Sequence, residues 1–195
     1  IDTSFIYFAI NHLDCVGGIQ TTASHNPIQY NGFKISGPKA RPIGSGSGLD
    51  DIKRIAGTLR VGHTGLTGKV ETVDLWADYR KHVPKVFEGV ANLEIVPILF
   101  EITGSFVHDP NPLVESNLAM LKEKMKSTPG CELGACFDGD ADRCIFIDEK
   151  GTSIGCDLLT ALFCQHFLSD PKEKGKAVVY DLRSSHVVRD EITRL

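Results

Sequence analysis

Two short stretches hold the side chains best suited to chemistry. The first, Asp138-Gly139-Asp140-Ala141-Asp142-Arg143, sets three carboxylates at alternate positions between two strand-like runs. Carboxylates gathered this closely repel one another unless a cation neutralises them. A hard divalent ion with oxygen ligands, Mg²⁺ or Ca²⁺, is the natural guest. A solvated acidic turn is the plain alternative. Asp138, Asp140, Asp142 and Glu149 fall at positions 1, 3, 5 and 12 of an EF-hand loop. The turn position of that loop needs glycine and holds Arg143, and the flanks GACF and CIFI read as strands instead of helices. An EF-hand, and with it a non-catalytic Ca²⁺ module, is therefore disfavoured. Arg143 beside three carboxylates suits a site that also holds an anion, because a guanidinium grips phosphate oxygens in pairs.

The second stretch, Gln20 to Lys34, contains Ser24-His25-Asn26-Pro27 and ends on Tyr30-Asn31-Gly32-Phe33-Lys34. Ser, Asn and Pro are turn formers, so a plain turn accounts for the four residues taken alone. A nucleophilic serine needs activation and something to stabilise developing charge. His25 and Lys34 are candidate proton carriers, and a lysine base near neutral pH would need its pKa lowered from about 10.4. A Ser-His-Asp hydrolase fits poorly, since there is no GxSxG elbow and adjacent Ser and His side chains rarely align as a triad. A phosphoryl group on Ser24, served by a metal on the acidic loop, joins the two stretches into one chemistry.

The elements that must position these loops alternate along the chain. Asp2 and Thr3 offer caps to a first helix with Phe5, Ile6, Ala9, Ile10 and Leu13 on one face. CVGGIQTT reads as a turn into a buried strand. The GSGSG run lacks a P-loop lysine and a leading strand, and it reads as a surface turn before a short helix from about Leu49. A helix follows around Trp76 to His82, with a domain boundary expected near residue 74. Strand LEIVPILF, a loop, and an amphipathic helix bearing Val114, Leu118, Leu121 and Met125 come next. Strands LGACF and CIFIDE, helix DLLTALFCQHFL, strand KAVVYDL and helix SHVVRDEITRL complete the pattern. Such alternation predicts α/β layering with a largely parallel sheet.

Composition excludes some partners. With 21 basic against 25 acidic residues in 195, the net charge is −4, without the basic excess of a nucleic-acid binder. The apolar runs are too short to span a bilayer, and the N-terminal run lacks the basic lead of a signal peptide. Six cysteines at irregular spacing, with no CxxC pair, point to a reducing cytoplasm and not to a zinc site.

Taken together, Thr22 to Pro27 (TASHNP), Tyr30 to Lys34 (YNGFK) and Asp138 to Arg143 (DGDADR) resemble the α-D-phosphohexomutase family, in wording closest to its phosphomannomutase/phosphoglucomutase branch. NPLVESNL, GPKARPIG and VVYDLRSS extend the similarity over most of the chain. The resemblance implies two three-layer α/β/α domains with mixed, largely parallel sheets. Residues 1–74 would be part of the first and 75–195 most of the second. It implies a phosphoryl group carried on Ser24, and Mg²⁺ held by Asp138, Asp140 and Asp142 with an oxygen of the phosphorylated Ser24 as a further ligand. His25 and Lys34 would handle protons, and Arg143 and Asn26 would contact substrate or phosphoryl oxygens. A hexose 1,6-bisphosphate would serve as intermediate and activator in exchanging hexose 1-phosphate and 6-phosphate. Phosphoglucosamine mutase and a Mg²⁺-dependent phosphatase are the neighbouring readings. Third and fourth domains of the family, with their sugar and phosphate loops, have no counterpart in these residues, so weak turnover by this stretch alone is expected. The family would also place a further strand and an Asn-Gly turn where Val83 runs directly into Pro84.

Overall fold

The computed structural model of the chain describes residues 2–27, 29–60, 68–83, 93–101, 103 and 105–195. They form helices α1 (Thr3–His12), α2 (Leu49–Thr58), α3 (Trp76–His82), α4 (Ala119–Lys126), α5 (Cys156–Leu168) and α6 (His186–Arg194). The strands are β1 (Gly18–Thr21), β2 (Phe33–Ser36), β3 (Leu133–Phe137), β4 (Cys144–Asp148) and β5 (Ser153–Ile154). The chain divides into two compact units, Ile1–Pro110 with Gly139–Asp142, and Asn111–Asp138 with Arg143–Leu195.

In the first unit α1 is the organising element. Asp2 caps it by accepting a 2.6 Å hydrogen bond from the Phe5 N–H, which satisfies a donor that the helix leaves unpaired. One flank of α1 lies on the antiparallel β1–β2 hairpin. Any side chain at Gly18 would collide with Ile10, so glycine there lets helix and strand touch. The other flank meets α3 through rings: Phe5 lies 4.7 Å from Trp76 and 5.0 Å from Tyr79, centroid to centroid. Strand alternation puts Gly18, Gln20, Lys34 and Ser36 on one face of the hairpin, with Gln20 and Ser36 buried. That face is the α1 side, and it aims Lys34 inward.

In the second unit β3, β4 and β5 form an antiparallel sheet in that order. The short helical turn Glu115–Leu118 and α4 cover one face, burying Leu118, Met125, Ile145 and Ile147 together. Helices α5 and α6 pair separately around Ala161, Cys164 and Val188. The tight turn between β3 and β4 is the acidic loop, so two strands hold its ends, as the rejection of an EF-hand requires.

The fold is mixed α/β with helices and sheets, as expected, but every ladder among the described residues is antiparallel. LEIVPILF and KAVVYDL do not form strands. Leu93 and Ile95 are 68% exposed, Val179 is 96% and Leu182 fully so. A strand exists only when a neighbour pairs its backbone groups, and among the described residues no ladder reaches either segment; Pro97 further interrupts the first. Pro84, beyond the Val83 junction, lies outside the described residues. Among the described residues, no helix is long and apolar enough to cross a membrane.

Candidate functional site

Ser24 begins the turn that follows β1. Its φ of 52° lies in the left-handed region, an unusual conformation for a side chain with a Cβ and one that concentrates at functional sites. The turn is held by short bonds. The Ser24 N–H donates to Thr22 Oγ1 at 2.8 Å, and both the backbone N–H and the side-chain amide of Asn26 donate to the Ala23 carbonyl at 3.0 Å. Asn26 therefore closes the turn. Ser24 Oγ lies 3.3 Å from His25 Nδ1, within reach for a proton to pass between them.

Lys34 connects this hairpin to the acidic loop. Its Nζ lies 2.6 Å from Asp140 Oδ2, donates to Asp142 Oδ2 at 2.5 Å, and donates to Thr3 Oγ1 at 3.2 Å. Burial by itself would lower the Lys34 pKa, but the two carboxylates outweigh it and hold the ammonium above its ordinary value. The lowered pKa that a lysine base requires is not what this environment produces. Burial likewise pushes the Asp140 carboxyl up, and Lys34, with help from the Thr22 and Thr3 hydroxyls, more than offsets it, leaving the group below the usual carboxylate range. The Thr3 N–H also donates to the Asp140 carbonyl at 2.9 Å, so the first turn of α1 carries the acidic loop.

Ligand atoms of Asp138, Asp140 and Asp142 all lie within 4.8 Å of one another. Asp138 and Asp140 are buried, and both side-chain oxygens of Asp140 lack a hydrogen-bond donor at standard geometry. Three carboxylates brought this close, two of them buried, fit a hard divalent cation, and the Lys34 ammonium already answers part of that demand. The loop is closed by the Arg143 N–H donating to Asp138 Oδ1 at 3.2 Å, and the Asp138 N–H donating to the Arg143 carbonyl at 3.2 Å. The Arg143 guanidinium stands about half exposed, its Nε 4.0 Å from Asp138 Oδ2.

Ala141 occupies the tip of this loop at φ 56°, where a Cβ is strained. Ala141→Gly is expected to stabilise the chain by about 0.5–1 kcal/mol, part of the relief being returned as chain entropy. A higher urea midpoint at unchanged slope is the readout; no rise would show that the turn is relaxed as it stands.

Among the residues singled out from sequence, Ser24 and His25 meet side chain to side chain, and Lys34 meets Asp140 and Asp142. Thr3 and Thr22 join the site without being expected there, Thr3 accepting from Lys34 and both hydroxyls supporting Asp140. Nothing in the local sequence marks Thr3 beyond its place beside the Asp2 cap, because its task is set by residues more than a hundred positions away.

The family model for phosphoglucomutase/phosphomannomutase α/β/α domain I matches residues 1–59, and that for α/β/α domain II matches residues 77–151. A phosphomannomutase of Vibrio cholerae is 30% identical over 224 residues, spanning 98% of this chain and 48% of that protein. Phosphohexose mutases of Xanthomonas campestris are 34% identical over 208 residues, 93% of this chain and 46% of theirs. The chain thus spans about half the length of the curated relatives it matches. The 224 aligned positions exceed the 195 residues available, so the Vibrio relative carries at least 29 positions in the matched span that this chain lacks. A phosphoglucomutase/phosphomannomutase family protein from Burkholderia thailandensis superposes with a TM-score of 0.68 at 25% identity, covering 90% of this chain and 43% of that one. With two models of one family matching in order over more than half of its residues, the chain belongs to the phosphoglucomutase/phosphomannomutase family.

Proposed function

We propose that the chain carries the phosphoryl-transfer half of a phosphohexomutase site. Ser24 accepts and returns the phosphoryl group of a hexose phosphate by way of a hexose 1,6-bisphosphate. The observation that carries this reading is the meeting of two loops distant in sequence, with Lys34 of the serine hairpin bound to both Asp140 and Asp142.

For loading, Ser24 Oγ bonds to a phosphorus of the bisphosphate as the bond from that phosphorus to the sugar oxygen breaks. The Ser24 proton passes to His25 Nδ1, placed 3.3 Å away, and the departing sugar oxygen takes up a proton. Asp138, Asp140 and Asp142, with an oxygen on residue 24, would hold Mg²⁺. Bound there, the ion would offset charge on the transferring group. Lys34 keeps Asp140 and Asp142 in register with the serine hairpin, and the half-exposed Arg143 guanidinium beside Asp138 would contact phosphoryl oxygens. The two domains are read as residues 1–74 and 75–195. Sugar recognition rests on the rest of the relatives' length, and turnover by this chain alone is expected to be weak. Which hexose is used, glucose or mannose, is left to those other segments.

Phosphorus NMR of the chain with Mg²⁺ and hexose 1,6-bisphosphate tests the reading. The expected products are hexose monophosphate and phosphorylated protein in equal amounts. Steady release of inorganic phosphate would instead make the protein a phosphatase.

A further inference from the structure

Gly139 separates the first two carboxylates of the acidic loop, and its φ lies outside the left-handed region, so backbone freedom does not explain a glycine there. Space does. A Cβ at residue 139 would overlap the Ser24 carbonyl oxygen and stand 3.0 Å from Phe106 Cζ. The phenyl ring could turn aside, but a backbone carbonyl cannot, so a methyl group would force the two loops apart by about 1 Å. On its other side the acidic loop is fixed, because the buried Thr3 donates its N–H to the Asp140 carbonyl at 2.9 Å. Ser24 is fixed in turn by its N–H bond to Thr22 Oγ1.

We propose that Gly139 is a positioning residue that sets how closely the acidic loop approaches Ser24, so that the residue-24 oxygen and the three carboxylates share one ligand. A side chain at 139 would leave all four ligand groups present yet uncouple the serine from the carboxylates. This rests on the reading of Ser24 and the acidic loop as a joint metal site.

The test is a double-mutant cycle read by Mn²⁺ affinity, from the electron paramagnetic resonance signal of free Mn²⁺, on the full chain. Ser24→Ala is expected to weaken binding about tenfold, on the scale of losing one supporting group at a metal site. Gly139→Ala should weaken it by the same factor, and the double variant should lose nothing further. Phe106→Ala should not restore Gly139→Ala, because the obstructing atom belongs to the backbone. Gly139→Ala binding as the unaltered chain does, rescue by Phe106→Ala, or additive losses in the double variant would each overturn the proposal. A Gly139→Ala chain without a cooperative thermal transition would overturn it too, since the contact would then serve folding. No Mn²⁺ bound by the unaltered chain, or no effect of Ser24→Ala, would refute the joint site itself and the proposal with it.

Discussion

Asp140→Asn is expected to lower Mn²⁺ affinity on the order of 100-fold, at the top of the range typical of losing an outer partner at a metal site. Asp140 is 3% exposed and its ligand atom lies within 4.8 Å of those of Asp138 and Asp142, so an amide there would present one oxygen and one unwanted NH₂ group toward the cation. The same change should also destabilise the metal-free chain. The ammonium of Lys34 loses its 2.6 Å partner while keeping Asp142 and Thr3. A buried pair broken outright costs several kcal/mol, and the remaining partners together with the partial exposure of Lys34 reduce this to about 2 kcal/mol. Free-Mn²⁺ resonance and urea unfolding in chelator separate the two effects. Unchanged affinity would place the cation elsewhere.

His25→Ala should slow phosphoryl loading of Ser24 about 100-fold while leaving Mn²⁺ affinity within twofold, because general base assistance typically contributes 10²–10⁴-fold. The imidazole is adjacent in sequence and would not align as a triad partner. The left-handed Ser24 backbone accompanies an Oγ placed 3.3 Å from Nδ1, the geometry on which this expectation rests. Single-turnover loading from hexose 1,6-bisphosphate, followed by intact-mass spectrometry, measures the rate. A loss of both loading and Mn²⁺ binding would mean that His25 shapes the turn and does not carry the proton.

What the sequence made legible depended on how local the cause was. The helix from Thr3 to His12 is announced by its Asp2 cap and apolar spacing, and α3 and α5 form where the sequence reads as helix-like. The acidic loop was readable because three carboxylates in six residues demand an explanation at any fold. LEIVPILF and KAVVYDL misled for the opposite reason: their β-branched residues describe what a strand prefers, while pairing partners decide whether one forms. Their exposed side chains accord with a matched span that runs at least 29 positions longer in the Vibrio relative. Strand β2 went unnoticed because four residues, one of them lysine, show no alternation worth trusting. Yet it is this strand that turns Lys34 toward Asp140.

Tandem mass spectrometry of the chain after incubation with Mg²⁺ and glucose 1,6-bisphosphate tests the central claim most directly, with Ser24→Ala as control. A phosphoryl group on Ser24, absent from the control and from a sample in chelator, is the predicted result. An unmodified Ser24, or a phosphoryl group that persists elsewhere in Ser24→Ala, would contradict the account.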